Sequence, residues 1–195
     1  VLYLAENKKI ILVGIPGVGK TSLLTKIVEY LKNKNKIVSV INYGTLMFNV
    51  AKENGMKDRD CLRKLPVLEQ QELQKIAAEK IALDNAEIII IDTHAFISSP
   101  EGYYPGLPEY VLKIIKPTNF VSVAAKPEEI YNRRMKDESR DRDKITLINI
   151  RKELEYQTGM ISACAVITGA PVRHILNGEG KIDEAADKVI NAIGL

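Results

Sequence analysis

The chain has 195 residues, 46% of them hydrophobic and 27% charged, the balance of one globular domain able to bury a sizeable core. Its 28 basic and 25 acidic side chains leave a net charge of +3, too even to argue for a nucleic-acid partner. No apolar run approaches the ~18 residues of a membrane span, the opening VLYLAENKK has no signal-peptide pattern, and Cys61 and Cys164 stand alone, so the expectations are a cytoplasmic protein with no membrane contact, no zinc site and reduced thiols.

In chain order, KIILVG (9–14) is a short apolar run that leads into GIPGVGKTS (14–22). Residues 21–32 follow with Leu23, Leu24, Ile27, Val28 and Leu31 on one helical stripe. IVSVIN (37–42) reads as a β-branched strand, and NYGTLMF opens the next helix. A charged stretch, KDRDCLRKL (57–65), precedes a helical pattern over 68–83, and EIIIID (87–92) is the strongest strand signal in the chain. SPEGYYPGLPEYV (99–111) reads as a long Gly/Pro loop. NFVSVAA (119–125) is a strand, and Pro127 starts a helix to about residue 136. The arginine-rich NRRMKDESRDRDK leads into a long helix over 144–168, with Gly159 a weak point. VRHILN (172–177) and a helix over 182–193 close the chain.

Five apolar strands alternating with helices predict an α/β fold. The expected form is a three-layer sandwich with a five-stranded parallel sheet, right-handed crossovers, and ligands at the carboxyl ends of the strands. The polar clusters all fall just after predicted strands.

Gly14, Gly19, Lys20 and Thr21 satisfy G-x-x-x-x-G-K-[ST] at every defined position. Glycines let the backbone close around phosphate, successive N–H groups of Gly14, Ile15, Pro16, Gly17, Val18, Gly19, Lys20, Thr21 and Ser22 (the proline excepted) turn inward, and the helix that follows adds its positive end. Lys20 reaches the β/γ-phosphates and Thr21 offers its hydroxyl to Mg²⁺. Asp92, ending the best strand, stands where a metal-holding acid belongs and could instead act as a base toward a hydroxyl. A guanine-specific hydrolase is disfavoured, because N-K-x-D is missing.

Beyond the loop, Gly44 and Thr45 stand at a helix start suited to a second anion. Arg59 and Arg63, four apart, offer guanidinium forks for a phosphate. His94 could orient the substrate or Asp92. Tyr103, Tyr104 and Leu107 could line a base pocket. Arg133, Arg134, Arg140 and Arg142 form a short lid that stabilises charge on a moving phosphoryl group.

The stretches GIPGVGKTS, INYGTLMF, AKENGMKDRDCLRKL, IIDTHAFISSPEGYYPGLPEYVL, NRRMKDESRDRD and ACAVITGAPVRHILNGEG occur in this order over nearly the whole chain. Together they resemble the archaeal adenylate kinases, a branch of the P-loop nucleoside monophosphate kinases. The resemblance implies ATP + AMP ⇌ 2 ADP with Mg²⁺ held by Thr21 and Asp92. It implies a single domain over 1–195 with a small AMP-binding helical segment around 44–84 and a lid around 133–144. It places the donor adenine near Asn177 and Gly178, the AMP near Gly44, Thr45, Arg59, Arg63, His94, Tyr104 and Leu107, and catalysis on Lys20, Asp92 and the four lid arginines. It also implies a homotrimer. The chain departs from the pattern in two places: GTLMFNV has no arginine, and 97–99 (Ile, Ser, Ser) has no basic residue. Two other readings fit the loop alone: a kinase for another nucleoside monophosphate or for a small hydroxyl acceptor, with Asp92 as base, and a nucleotide-dependent RNA or protein assembly factor.

Overall fold

A computed structural model describes residues 7–58, 61–62, 65–99, 101–136 and 146–195. Five strands form a parallel sheet: β1 (Lys8–Gly14), β2 (Val38–Asn42), β3 (Ile88–Thr93), β6 (Asn119–Ala124) and β7 (Val172–Leu176). Their spatial order is β2-β3-β1-β6-β7. The three inner strands are the most continuously apolar, because both their faces are covered. The outer strands β2 and β7 are only half buried, so the expectation of two covered faces fails at the sheet edges.

Alternation along the strands splits the core in two. Ile10, Leu12, Ile88, Ile90, Val121 and Val123 face α1 (Lys20–Asn33), α7 (Ile182–Ala192) and Ile130 of α5 (Pro127–Lys136). Ile11, Val13, Ile89, Ile91 and Phe120 face α3 (Val67–Ala82) and α4 (Glu109–Ile115). The long helix α6 (Leu147–Thr168) serves both cores, with Ile150 in the first and Ile161 and Cys164 in the second. It begins three residues later than expected and runs unbroken through Gly159. Between α2 (Tyr43–Glu53) and α3 lies a third, small core built on Val50, Ala51 and Leu73.

The segment read as a Gly/Pro loop is structured. β4 (Phe96–Ser99) and β5 (Gly102–Pro105) form an antiparallel hairpin, and α4 follows. Tyr103 packs against Phe96 and Tyr156 (ring centroids 4.9 and 4.3 Å), which fixes the hairpin on α6. Gly106 passes so close to the main chain that a Cβ there would lie 2.0 Å from the His94 carbonyl oxygen. No helix among the described residues is long and apolar enough to cross a membrane.

Candidate active site

β1 ends at Gly14 and α1 begins at Lys20, so the residues between them form the loop at the carboxyl end of the central strand. Gly17 and Gly19 take φ of 88° and 80°, a conformation that side chains disfavour. A Cβ at Gly19 would also lie 2.6 Å from Asn177 Nδ2. The first turn of α1 has no acidic residue and no side-chain cap, so its N–H groups remain available to an anion.

Four successive loop carbonyls are tied from outside. Arg134 Nε donates to Pro16 O at 2.8 Å, and an Arg133 guanidinium nitrogen to Gly17 O at 3.3 Å. Asn177 Nδ2 donates to Val18 O at 2.9 Å and to Gly19 O at 3.4 Å. These ties fix the course of the loop backbone; within it the Val18 N–H donates to Ile15 O at 3.4 Å, and backbone N–H groups of such a loop are the donors a phosphate requires. Asn177 is only 4% exposed and sits just past the end of β7; its own N–H donates to Ala124 O at 2.7 Å. Gly178 follows, facing the Glu129 carboxylate.

Arg133 and Arg134 therefore differ. Arg134 is 7% exposed and pairs through both terminal nitrogens with Glu153, at 3.3 and 2.6 Å. Arg133 is more open and lies 3.9 Å from Glu129 Oε2. Glu129 Oε1 in turn accepts from the Glu179 N–H at 3.3 Å. Arg59, Arg63, Arg140 and Arg142 lie outside the described residues.

Lys20 and Asp92 meet directly: the ammonium bonds to Asp92 Oδ1. Burial lowers the Lys20 pKa to about 8. Asp92 Oδ2 accepts from Asn42 Nδ2 at 2.9 Å, and Asn42 Oδ1 accepts from both the N–H and the hydroxyl of Thr45, each at 2.9 Å. Asn42 was not among the residues singled out from sequence. Its role follows from lateral register, since Asn42 of β2 stands beside Asp92 of β3. A run of polar contacts thus leads from the phosphate loop to the first turn of α2, where Gly44 and Thr45 lie.

A cavity of about 320 Å³ opens beside the loop, lined in part by Gly14, Ile15, Pro16, His94, Ser98, Arg134 and Glu153. His94, one of the lining residues, is exposed. Tyr104 is exposed on β5, opposite Ile97. Leu107 does not line an opening: it is 3% exposed, within the core under α4 and α6. Another opening, of about 430 Å³, lies at the amino ends of β6 and β7, at the far end of the sheet from the loop.

For a metal, the residues on hand are Thr21, exposed at the head of α1, and Asp92, half-buried at the end of β3. These are hard oxygen donors suited to Mg²⁺. No cluster of three or more His, Cys, Asp or Glu that could hold a metal ion occurs among the described residues. An ion here would therefore take most of its shell from water and nucleotide phosphates, the usual habit of Mg²⁺.

A family model described as an AAA domain matches residues 13–151. The chain is 41% identical to an adenylate kinase of Methanocaldococcus jannaschii over 96% of its own length and 99% of the relative's. It is 40% identical to one of Thermoplasma acidophilum, over 95% and 98%. Among solved structures, a shikimate kinase from Bacteroides thetaiotaomicron superposes with a TM-score of 0.60, covering 96% of this chain and 99% of that one at 15% identity, a likeness of fold alone.

Proposed function

The chain belongs to the adenylate kinase family, and from that premise we propose how its own residues carry out ATP + AMP ⇌ 2 ADP. It is a phosphotransferase with a phosphate acceptor. The observation that carries this reading is identity of about 40% over nearly the full length of adenylate kinases. The shared fold cannot carry it, because shikimate kinases have the same architecture.

The β/γ-phosphates of the donor rest in the loop from Gly14 to Ser22, on inward N–H groups and the Lys20 ammonium. The donor adenine lies toward Asn177 and Gly178. Phosphate entering the loop draws Lys20 from Asp92 and frees one carboxylate oxygen. Mg²⁺ bound with the nucleotide would neutralise phosphate charge, and Thr21 and Asp92 are the residues that would hold it. The acceptor lies against the first turn of α2, at Gly44 and Thr45, with His94 and Tyr104 at its border. Arg59 and Arg63 take its phosphate; this assignment rests on the sequence argument. The acceptor phosphate is already ionised near neutral pH, its second pKa being about 6, so no base is needed and Asp92 need not act as one. Arg133, Arg140 and Arg142 stabilise the charge spread over the transferred group. Arg134 belongs with the loop: its guanidinium is committed to Glu153 and Pro16 O, so it works by shaping the phosphate cradle. Support for homotrimer assembly comes from the resemblance, and sedimentation equilibrium tests it.

A coupled assay over AMP, CMP, UMP, GMP and hydroxyl acceptors tests the reaction. AMP gives ADP at the highest kcat/KM; a failure of AMP where another acceptor succeeds contradicts the reading. Arg63→Ala raises the AMP KM more than the ATP KM, and an equal rise in both would reject its place on the acceptor side.

A further inference from the structure

The contacts of Asn42 reach further than those of a helix cap. Asn42 ends β2 and is the N-cap of α2. Its carboxamide oxygen holds Thr45 twice, through N–H and hydroxyl, and its nitrogen holds Asp92 Oδ2. A carboxamide is planar and its two ends cannot turn independently. A displacement of the first turn of α2 therefore turns the amide and redirects its N–H at Asp92. Asp92 is fixed on its other oxygen by Lys20. Both oxygens of the acid are thus engaged, one from the donor side and one from the acceptor side.

We propose that Asn42 is a positioning residue that couples the acceptor-binding turn of α2 to the Lys20–Asp92 pair, so that an acceptor in its site changes donor affinity. The proposal rests on the placement of the acceptor at α2. The mechanism is local. Donor phosphates must take Lys20 from Asp92, and the ease of this depends on how firmly Asp92 is held by its other partner. An acceptor that shifts Thr45 tightens or loosens the Asn42 bond and so changes the cost of separating the pair. By linkage the donor changes acceptor affinity by the same factor.

Asn42 also caps α2, and an alanine would remove cap and coupling together. Serine separates them: it is as good an N-cap as asparagine, but its short hydroxyl cannot span Thr45 and Asp92 at once. The test is calorimetric titration of the full chain, without metal, with adenylyl imidodiphosphate, in the absence and presence of saturating AMP. In the wild type AMP changes the affinity for the analogue about fivefold or more. Asn42→Ser keeps the thermal midpoint within a few degrees and AMP binding within about threefold, yet brings the coupling to within twofold of none. Undiminished coupling in Asn42→Ser, or no coupling in the wild type, overturns the proposal. AMP that binds normally while coupling persists in the variant leaves the acceptor site standing and removes only the role of Asn42. AMP that fails to bind the wild type at all removes the acceptor placement and the coupling with it.

Discussion

Burial brings the Lys20 ammonium down to about 8, whereas phosphates arriving in the loop favour its charged form. The sign follows directly. Below pH 8 Lys20 is protonated in the free enzyme and donor affinity is insensitive to this group. Above it, binding must take up a proton, and affinity falls by up to about tenfold per pH unit. Titration of a non-hydrolysable ATP analogue from pH 7 to 9.5 should show the break, and Lys20→Arg, which stays charged, should flatten it. Lys20→Met should lose orders of magnitude in turnover while its far-ultraviolet circular dichroism stays that of the wild type. Arg134 belongs to another class. Its pair with Glu153 is largely buried, so Arg134→Ala leaves a carboxylate without its partner and costs about 3 kcal/mol, read from the urea midpoint. Near-wild-type stability would mean that the guanidinium is not holding the loop.

Among the elements, the hairpin of β4 and β5 and the helix α4 were the least legible. Residues 99–111 are rich in glycine, proline and tyrosine, and composition alone reads as loop. The hairpin exists because Tyr103 finds Phe96 and Tyr156, and Tyr156 lies some fifty positions away on α6. Gly106 has a different cause: the chain leaving β5 runs against the main chain of His94 and Ala95, and the Gly106 N–H donates to Ala95 O at 2.9 Å. Gly106→Ala forces a Cβ to within 2.0 Å of the His94 carbonyl oxygen and should destabilise the chain by about 3 kcal/mol, measured by denaturant unfolding. Caps behave more locally. Thr146 accepts from the Asn149 N–H at 3.1 Å at the head of α6, and Thr146→Ala should cost about 1 kcal/mol. The inner strands, by contrast, are plain in the sequence, because both their faces are buried and their apolar runs are unbroken.

Across the whole molecule, the strand order β2-β3-β1-β6-β7 sets the phosphate loop between a strand that supplies Asp92 and one that leads to α5 and its arginines. The glycines, Lys20, Thr21 and Asp92 were legible because their chemistry is written in local spacing. Asn42, the Asn177 tie and the Arg134–Glu153 pair were not, since each depends on which strands become neighbours or on a helix met much later in the chain. On the function proposed above, the site is a clamp for two nucleotides, one in the loop and one against α2. Titration with a bisubstrate analogue, two adenosines joined by five phosphates, tests that directly. The expected result is one analogue per chain, bound far more tightly than ATP or AMP and excluding both. Binding no tighter than that of ATP, with AMP still able to bind beside it, would rule out a two-nucleotide clamp.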